Sequence, residues 1–162
     1  MNKLLISFLI LGASACAVNK STKSMHPYSG GSLGCGNFIV YKLSEDNTEY
    51  VSVILDVSSI ELTQVQAYAL GKAEVVQVIR KKFSGPIDAS LCNDVMKDRP
   101  EDLLEEKATQ GIVEVRINEA EREKALAKQP YNVTVILKNV IFGTMTIDYL
   151  RVDSVNVGWL PG

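Results

Sequence analysis

The chain has 162 residues, of which 46% are hydrophobic, and its 17 basic and 19 acidic residues give a formal net charge of −2. This apolar content is ordinary for a globular protein and excludes a chain that is disordered throughout. The basic residues are scattered along the sequence, so we expect no nucleic-acid-binding surface, which requires a basic stripe or patch. The length suits a single domain that can bury a sizeable core.

The N-terminus has the organisation of an export signal. Lys3 supplies a positive charge, residues 4–12 form an apolar run, and residues 13–15 supply the small side chains that a signal peptidase needs before its cut. The apolar run is well short of the about 20 residues that a membrane-spanning helix needs. We therefore predict that residues 1–15 are a cleaved signal peptide.

Residues 13–16, Ala-Ser-Ala-Cys, resemble the lipobox of bacterial lipoproteins, in which small residues precede an invariant cysteine. Ala13 departs from the leucine that is preferred at the first of these positions. The resemblance implies that Cys16 carries acyl chains such as palmitate and becomes the mature N-terminus. It also implies that Ala17, in place of aspartate, directs the protein to the outer membrane of the cell envelope. Several acyl chains together anchor a protein stably.

The same residues also fit ordinary secretion. Ala13 and Ala15 form a signal peptidase I site, whose cleavage would release a soluble secreted or periplasmic protein that begins at Cys16. Lipidation is the preferred interpretation because almost no polar segment separates the apolar run from the cysteine, and the cysteine lies at the cleavage point itself. The first expected partner is therefore the membrane, through a lipid on Cys16.

The segment after the lipobox has the composition of a linker. Residues 17–34 are rich in Ser, Gly, Lys and Thr and show no apolar period. We therefore predict a lipid-anchored flexible tether over residues 16–35. Ordered structure is expected to begin near Gly36, so a single folded domain is predicted over residues 36–162.

Two cysteines remain once Cys16 is assigned to the anchor. Cys35 and Cys92 are an even pair in an oxidising compartment, and a disulfide between them is predicted. It would close a loop of about 57 residues, for which the chain-entropy argument gives about 4 kcal/mol of stabilisation. The alternative is two buried free thiols, or thiols that lie too far apart to bridge.

Hydrophobic and polar residues alternate in three segments that are rich in β-branched side chains, namely residues 50–57, 111–118 and 131–140. This period of two predicts half-buried strands. A further segment, residues 37–43, is joined to the first of them by the turn-forming residues 44–48. These two strands are therefore predicted to form a hairpin.

Two other regions also contain strand patterns. Residues 66–70 and 73–83 flank residues 71–72, which predicts a second hairpin, although the latter segment also fits one face of a helix. In residues 146–160 the hydrophobic residues change from one phase of the alternation to the other. This change predicts a bulge or break near Asp153.

Two segments between the strands favour helices. Residues 100–107 begin with proline and acidic residues, and Asp98 is placed to cap a short helix there. Residues 119–128 are charged and helix-favouring, with Asn118 as the expected cap. Both helices are expected to be connections between strands.

About seven short strands predict an all-β fold, a two-sheet antiparallel β-sandwich with one or two short helical connections. The alternative is a small β-barrel that encloses a ligand. The immunoglobulin pattern is absent, because the only tryptophan, Trp159, follows both cysteines of the predicted disulfide instead of lying between them.

The residue types that carry most catalytic and metal-binding chemistry are poorly placed. The only histidine, His26, lies in the predicted tether, so no catalytic or zinc site that depends on histidine is predicted. The carboxylates that could replace histidine in such a site are concentrated in one region of the chain. They are Asp88, Asp94, Asp98, Glu101, Asp102, Glu105 and Glu106. Their spacing lacks the pattern of a calcium loop, and no nucleotide-binding motif occurs, so neither a metal nor a cofactor is expected.

These patterns predict a non-enzymatic, lipid-anchored protein of the cell envelope that binds or scaffolds another protein or a surface glycan. Tyr28 and Trp159 are aromatic side chains that could anchor such a partner. Two alternatives remain open. One is a barrel that carries a small apolar ligand, and the other is an envelope hydrolase that uses carboxylates from residues 88–106.

Overall fold

The computed structural model describes residues 27–59, 64–71, 75–87, 91–92, 100–143 and 145–159. Within these segments the chain forms nine strands, one α helix and one 3-10 turn. In chain order they are β1 (Ser32–Cys35), β2 (Ile39–Leu43), β3 (Glu49–Leu55), the 3-10 turn (Val57–Ser59), β4 (Val65–Ala69), β5 (Val76–Phe83), β6 (Asp102–Lys107), β7 (Gln110–Arg116), α1 (Glu119–Leu126), β8 (Tyr131–Phe142) and β9 (Met145–Val157).

The strands form two antiparallel sheets. The five-stranded sheet has the order β1-β2-β3-β5-β6, and the four-stranded sheet has the order β4-β7-β8-β9. The predicted β-sandwich is confirmed. The barrel alternative is wrong, because the two sheets do not close into a barrel. The predicted hairpin of β2 and β3 is also confirmed.

The main core lies between the two sheets and consists of β-branched and aromatic side chains. Strands of both sheets supply them, for example Val53 of β3, Val78 of β5, Val113 of β7 and Val135 of β8, all of which are buried. The two-residue period of the strands places these side chains on the inner faces. Burial of this apolar surface is the main force that holds the sheets together.

The two sheets meet along β1 and β9. Gly36 bridges to Trp159, and the Gly158 amide donates to the Gly36 carbonyl at 2.9 Å. A Cβ atom on Gly34 would lie 2.3 Å from the Asn156 carbonyl oxygen. Only glycine therefore allows β1 to approach β9 this closely.

The break near Asp153 is confirmed as a β-bulge. Val133 pairs with Val155, but Val135 pairs with Val152, so β9 has one extra residue opposite Thr134. Ser154 has φ +49°, a left-handed conformation that bulges use. The extra residue moves the side chains that follow it to the other phase, as the sequence pattern indicated.

The helix predictions have opposite outcomes. Helix α1 is confirmed together with its cap, since Asn118 Oδ1 accepts a hydrogen bond from the Glu121 amide at 2.9 Å. The helix over residues 100–107 is wrong, because this segment contains β6, which pairs with β5. Its charged residues pair across strands with the basic residues of β5, a tertiary contact that outweighs local propensity. The expected cap, Asp98, lies outside the described residues.

The second predicted hairpin is also wrong. β4 pairs with β7 in one sheet, and β5 pairs with β3 and β6 in the other, so these neighbours in sequence belong to different layers. The helical alternative for β5 is wrong as well, since Val76 and Val78 alternate with half-buried residues in the manner of a strand. The chain therefore passes from one sheet to the other between β4 and β5.

The fold begins earlier than the predicted boundary at residue 36. Tyr28 is buried in the main core, and β1 lies within the segment predicted to be a tether. The glycines of that segment serve close packing: a Cβ atom on Gly30 would lie 2.1 Å from the Ser44 carbonyl oxygen, and the Gly30 amide donates to the Leu43 carbonyl. The rest of the predicted tether, residues 16–26, lies outside the described residues.

Candidate functional site

Part of the outer face of the five-stranded sheet is covered by Ile87 and Leu91. A disulfide joins Cys35 of β1 to Cys92, with the two Cα atoms 5.6 Å apart, so the predicted pairing is confirmed. It ties the segment after β5 to the edge of the sheet. On this face lies a second, smaller core of Leu43, Phe83 and Ile87, against which Leu33, Tyr50 and Leu91 pack.

The outer face of the four-stranded sheet is exposed in part. Val113 and Val135 point into the main core, so the residues that alternate with them point outward. We call this surface the open face. It consists of Val65, Ala67 and Ala69 of β4, Ile112, Glu114 and Arg116 of β7, Thr134, Ile136 and Lys138 of β8, and Tyr149, Arg151 and Asp153 of β9.

Three large apolar side chains on the open face are exposed to solvent. Val65 is 55% exposed, Tyr149 48% and Ile112 43%. Cross-strand pairing places Ile112 opposite Lys138, which is in turn opposite Tyr149. Exposed apolar side chains that share one surface are typical of sites that bind another molecule, whereas scattered ones are not.

An ion-paired cluster lies at the centre of the open face. Glu114 accepts hydrogen bonds from Arg116 and from Lys138, the latter at 2.6 Å. The hydrogen bond from Lys138 is the larger cause, and that from Arg116 the next, of a pKa of the Glu114 carboxyl below its usual range. The group therefore stays ionised. The cluster flanks Ile136, which is only 2% exposed although it points away from the main core. The open face is thus an ordered surface with a fixed pattern of charge.

A polar cleft adjoins the open face where α1 begins. Its volume is about 410 Å³, and its walls come from the segment before β4, the start of α1, β8 and the β9 bulge. Amide and hydroxyl side chains make up half of the ten lining residues, in the set Gln64, Asn118, Asn132, Thr134 and Ser154. Such groups both donate and accept hydrogen bonds, as the hydroxyl groups of a glycan require.

A second ion-paired cluster lies inside the fold and fastens the N-terminal segment. Arg80 of β5 contacts Glu49 at 2.6 Å and Glu106 of β6 at 3.0 Å, and the Tyr28 hydroxyl donates to Glu49. Burial opposes ionisation of Glu49, but hydrogen bonds from Arg80 and Tyr28 outweigh it and lower the pKa of the carboxyl. Burial and the bond to Glu49 raise the pKa of Tyr28.

The carboxylates singled out in the sequence do not converge on a cleft, as far as the structure describes them. Asp102 and Glu105 each contact Lys81 at 2.8 Å, and Glu106 contacts Arg80. Glu101 is exposed at the start of β6, and Asp88, Asp94 and Asp98 lie outside the described residues. Within the described segments no three His, Cys, Asp or Glu side chains are grouped so that they could hold a metal ion.

The aromatic residues predicted to anchor a partner have structural roles. Tyr28 is buried, and Trp159 is half-buried with its indole N–H donating to the Asn156 carbonyl at 3.3 Å. Sequence analysis missed the exposure of Ile112 and Tyr149. A signal for Ile112 was present, since it is an apolar residue on the polar phase of β7, next to the buried Val113.

The open face and the adjoining cleft form the candidate binding site, assembled from the four-stranded sheet and the first turn of α1. The predicted anchor, Cys16, lies outside the described residues. No helix in the described segments is long and apolar enough to cross a membrane. The chain matches no protein-family model, no curated protein and no solved structure.

Proposed function

We propose that this protein is a non-enzymatic binding module, attached to the outer membrane of the cell envelope by a lipid on Cys16, and that its open face binds another protein. The observation that carries this proposal is the exposure of Val65, Ile112 and Tyr149 around an ion-paired cluster. Protein interfaces combine exposed apolar and aromatic side chains with arginine in this way.

The contrast between the two outer faces supports the assignment. Ile87 and Leu91, from the segment held by the disulfide, pack on one of them. On the other, Val65, Ile112 and Tyr149 are exposed. Cross-strand register also fixes the positions of the exposed side chains, so a partner would meet a preorganised surface. Preorganisation lowers the entropic cost of binding.

The way the N-terminal segment is held is compatible with a lipid anchor. Residues 17–26 separate Cys16 from the first described residue, and about ten residues can reach at most about 35 Å. From Tyr28 onward the segment is fastened by Glu49, Arg80 and the disulfide. A force on the anchor would therefore act on an N-terminal segment that these contacts hold in place.

A surface glycan is the second candidate partner. The polar cleft favours it, because amide and hydroxyl side chains line a volume of about 410 Å³ next to the open face. The left-handed conformation of Ser154 at the β9 bulge turns the backbone at the wall of this cleft. Replacing Asn132 and Thr134 with alanine should weaken a glycan partner and spare a protein that binds at Ile112 and Tyr149.

The anchor is tested by the mass of the mature protein from native membranes. We expect a chain that begins at Cys16 and carries the mass of its acyl chains. Cys16→Ser should accumulate as the unprocessed precursor. A mature chain that begins at unmodified Cys16 would contradict lipidation and favour release as a soluble protein.

The open face is tested by capture of partners from native membranes with the tagged full chain. Ile112→Glu should lose a protein that the wild type retains, because a new charge at the apolar surface must be desolvated on binding. Leu126→Glu is the matched control, since Leu126 is an exposed apolar residue on α1, outside the open face. Equal retention by both variants would contradict the assignment of the site.

A further inference from the structure

The ion-paired cluster of the open face contains one cation more than it contains carboxylates. Glu114 Oε2 accepts a hydrogen bond from Lys138 Nζ at 2.6 Å, and Glu114 Oε1 contacts Nε and Nη2 of Arg116, each at 2.5 Å. Two cations therefore share one carboxylate. The neighbouring pair of Arg151 and Asp153 is balanced, since it joins one cation to one carboxylate. The open face thus carries one positive charge in excess.

The two cations of the cluster are more accessible than the carboxylate that they share. The Arg116 side chain is 48% exposed and that of Lys138 is 39% exposed, but that of Glu114 is only 11% exposed. A molecule that approaches the open face therefore meets the cations before it meets Glu114. A guanidinium has five N–H donors and an ammonium has three, so both groups can donate to a second acceptor while they keep their bonds to Glu114.

Exposed apolar side chains flank Lys138. Cross-strand pairing places it between Ile112 and Tyr149, on strands that lie about 5 Å apart. A partner that packs on both apolar side chains must therefore also cover Lys138 and remove water from it. Burial of a charge without a counter-charge is strongly unfavourable. A partner that covers this row must therefore supply the missing negative charge.

We infer that the partner of the open face binds through an acidic protein segment. An aspartate or glutamate carboxylate of this segment contacts Lys138 and Arg116, and an adjacent apolar side chain packs against Ile112 and Tyr149. The inference rests on the proposed function, since it takes the open face to bind a protein. The chain as a whole has a net charge of −2, so the residues outside the open face are on balance acidic. They repel an acidic segment and thereby steer it to this surface.

An anionic membrane surface would offer the same negative charge, but the position of the apolar side chains favours a protein. Ile112 lies within β7 and Tyr149 lies within β9, so both stand on the surface of a sheet among charged side chains. On a bilayer they could reach the apolar region only if Glu114 and its cations entered with them, which is costly. A protein segment can instead place an apolar side chain between the charges.

A defined probe tests the acidic chemistry. A fluorescent random copolymer of glutamate and tyrosine is titrated with the full chain in phosphatidylcholine nanodiscs, and binding is measured by fluorescence anisotropy. We expect saturable binding that Lys138→Met weakens about tenfold or more, because the cation in excess is removed. Lys138→Arg should retain binding. Arg122→Met is the matched control, since Arg122 is an exposed cation on α1, outside the open face, and its loss should leave binding unchanged.

Three results would overturn the inference. The first is the absence of saturable binding to the acidic copolymer, and the second is equal weakening by Lys138→Met and Arg122→Met. The third is sedimentation of the nanodiscs with phosphatidylglycerol vesicles that Lys138→Met abolishes, which would identify an anionic lipid surface as the partner. All variants should retain the far-ultraviolet spectrum of the wild type, so that a loss of binding is not a loss of folding.

Capture from native membranes separates this inference from the proposed function. If Ile112→Glu loses a protein that Lys138→Met retains, the open face binds a protein without an acidic contact, so the inference fails and the proposed function stands. If both variants retain every protein that the wild type retains, both fail. We expect both variants to lose the same protein and Lys138→Arg to retain it.

Discussion

Arg80 is the residue on which the inner polar cluster depends. Its guanidinium contacts Glu49 through two nitrogens and Glu106 through a third, and the side chains of all three are largely buried. Removing one partner of a buried ion pair leaves an uncompensated buried charge. This lowers stability more than replacing both partners with well-packed apolar residues does. The cluster also holds Tyr28, so it links β3, β5 and β6 to the start of the fold.

We expect Arg80→Met to lower the free energy of unfolding by about 2–3 kcal/mol, since it leaves two neighbouring carboxylates without their cation. Urea unfolding at neutral pH measures this. Arg151→Met is the control, because Arg151 is exposed and its ion pair with Asp153 lies on the surface, so no measurable loss is expected. A loss of equal size in both variants would contradict the role given to Arg80.

The lowered pKa of Glu49 makes the stability of the fold depend on pH. A carboxyl whose pKa is lower in the folded chain than in the unfolded chain stabilises the fold above the unfolded value, and this contribution disappears as the pH falls through the folded value. The unfolded value is about 4.3. The cluster should therefore hold at neutral pH and weaken as the carboxyl becomes protonated.

We expect the difference in unfolding free energy between wild type and Glu49→Gln to be constant above about pH 5 and to shrink below it. Chemical unfolding at a series of pH values measures the difference. Glu101→Gln, at an exposed position before β6, is the control and should follow the wild type. A difference that does not change with pH would show that the Glu49 charge is not what stabilises the cluster.

At the scale of elements, the joint between β1 and β9 depends on a glycine. Gly34→Ala would place a methyl group against the Asn156 main chain, so we expect a loss of about 3 kcal/mol in unfolding free energy. Gly31→Ala is a matched control in the same segment, since its nearest atom would be the Leu43 Cδ1 at 3.6 Å, an ordinary contact. Equal stability of the two variants would contradict the close approach of the strands.

The disulfide fastens the segment from which Ile87 and Leu91 pack on the five-stranded sheet. The bond spans 57 residues, and the loop-closure argument gives a loss of about 4 kcal/mol when Cys35 and Cys92 are both replaced by serine. Urea unfolding measures the loss, and binding of an apolar dye should rise as the small core of Leu43, Phe83 and Ile87 is uncovered. Unchanged stability would mean that the segment stays in place without the bond.

At the scale of the whole molecule, hydrophobic alternation predicted the architecture because each sheet buries one face. It could not assign strands to layers: β4 and β5 are adjacent in sequence but belong to different sheets. Nor could composition separate the glycines of a linker from Gly30 and Gly34, which are required by close contacts. Segment 100–107 was misassigned because cross-strand ion pairs form only in the folded protein.

The candidate site was less predictable than the fold. Sequence analysis indicated a binding protein but selected Tyr28 and Trp159, which are buried or half-buried. Exposure of Ile112 and Tyr149 depends on which sheet the rest of the chain packs against, and Ile87 and Leu91 pack against the other sheet. The local sequence pattern therefore identifies Ile112 as an apolar residue on the polar phase of β7. It does not show whether another part of the chain packs over it.

The most direct test of the central claim is site-specific photo-cross-linking in native membranes. A photo-reactive amino acid at Tyr149 or Ile112 should give the same adduct with one partner, and a photo-reactive residue at the equally exposed Leu126 should give none. The adduct should disappear when Glu114 and Lys138 are both replaced by residues of opposite charge. Adducts that are absent from the open face, or equally abundant at Leu126, would contradict a binding function for this surface.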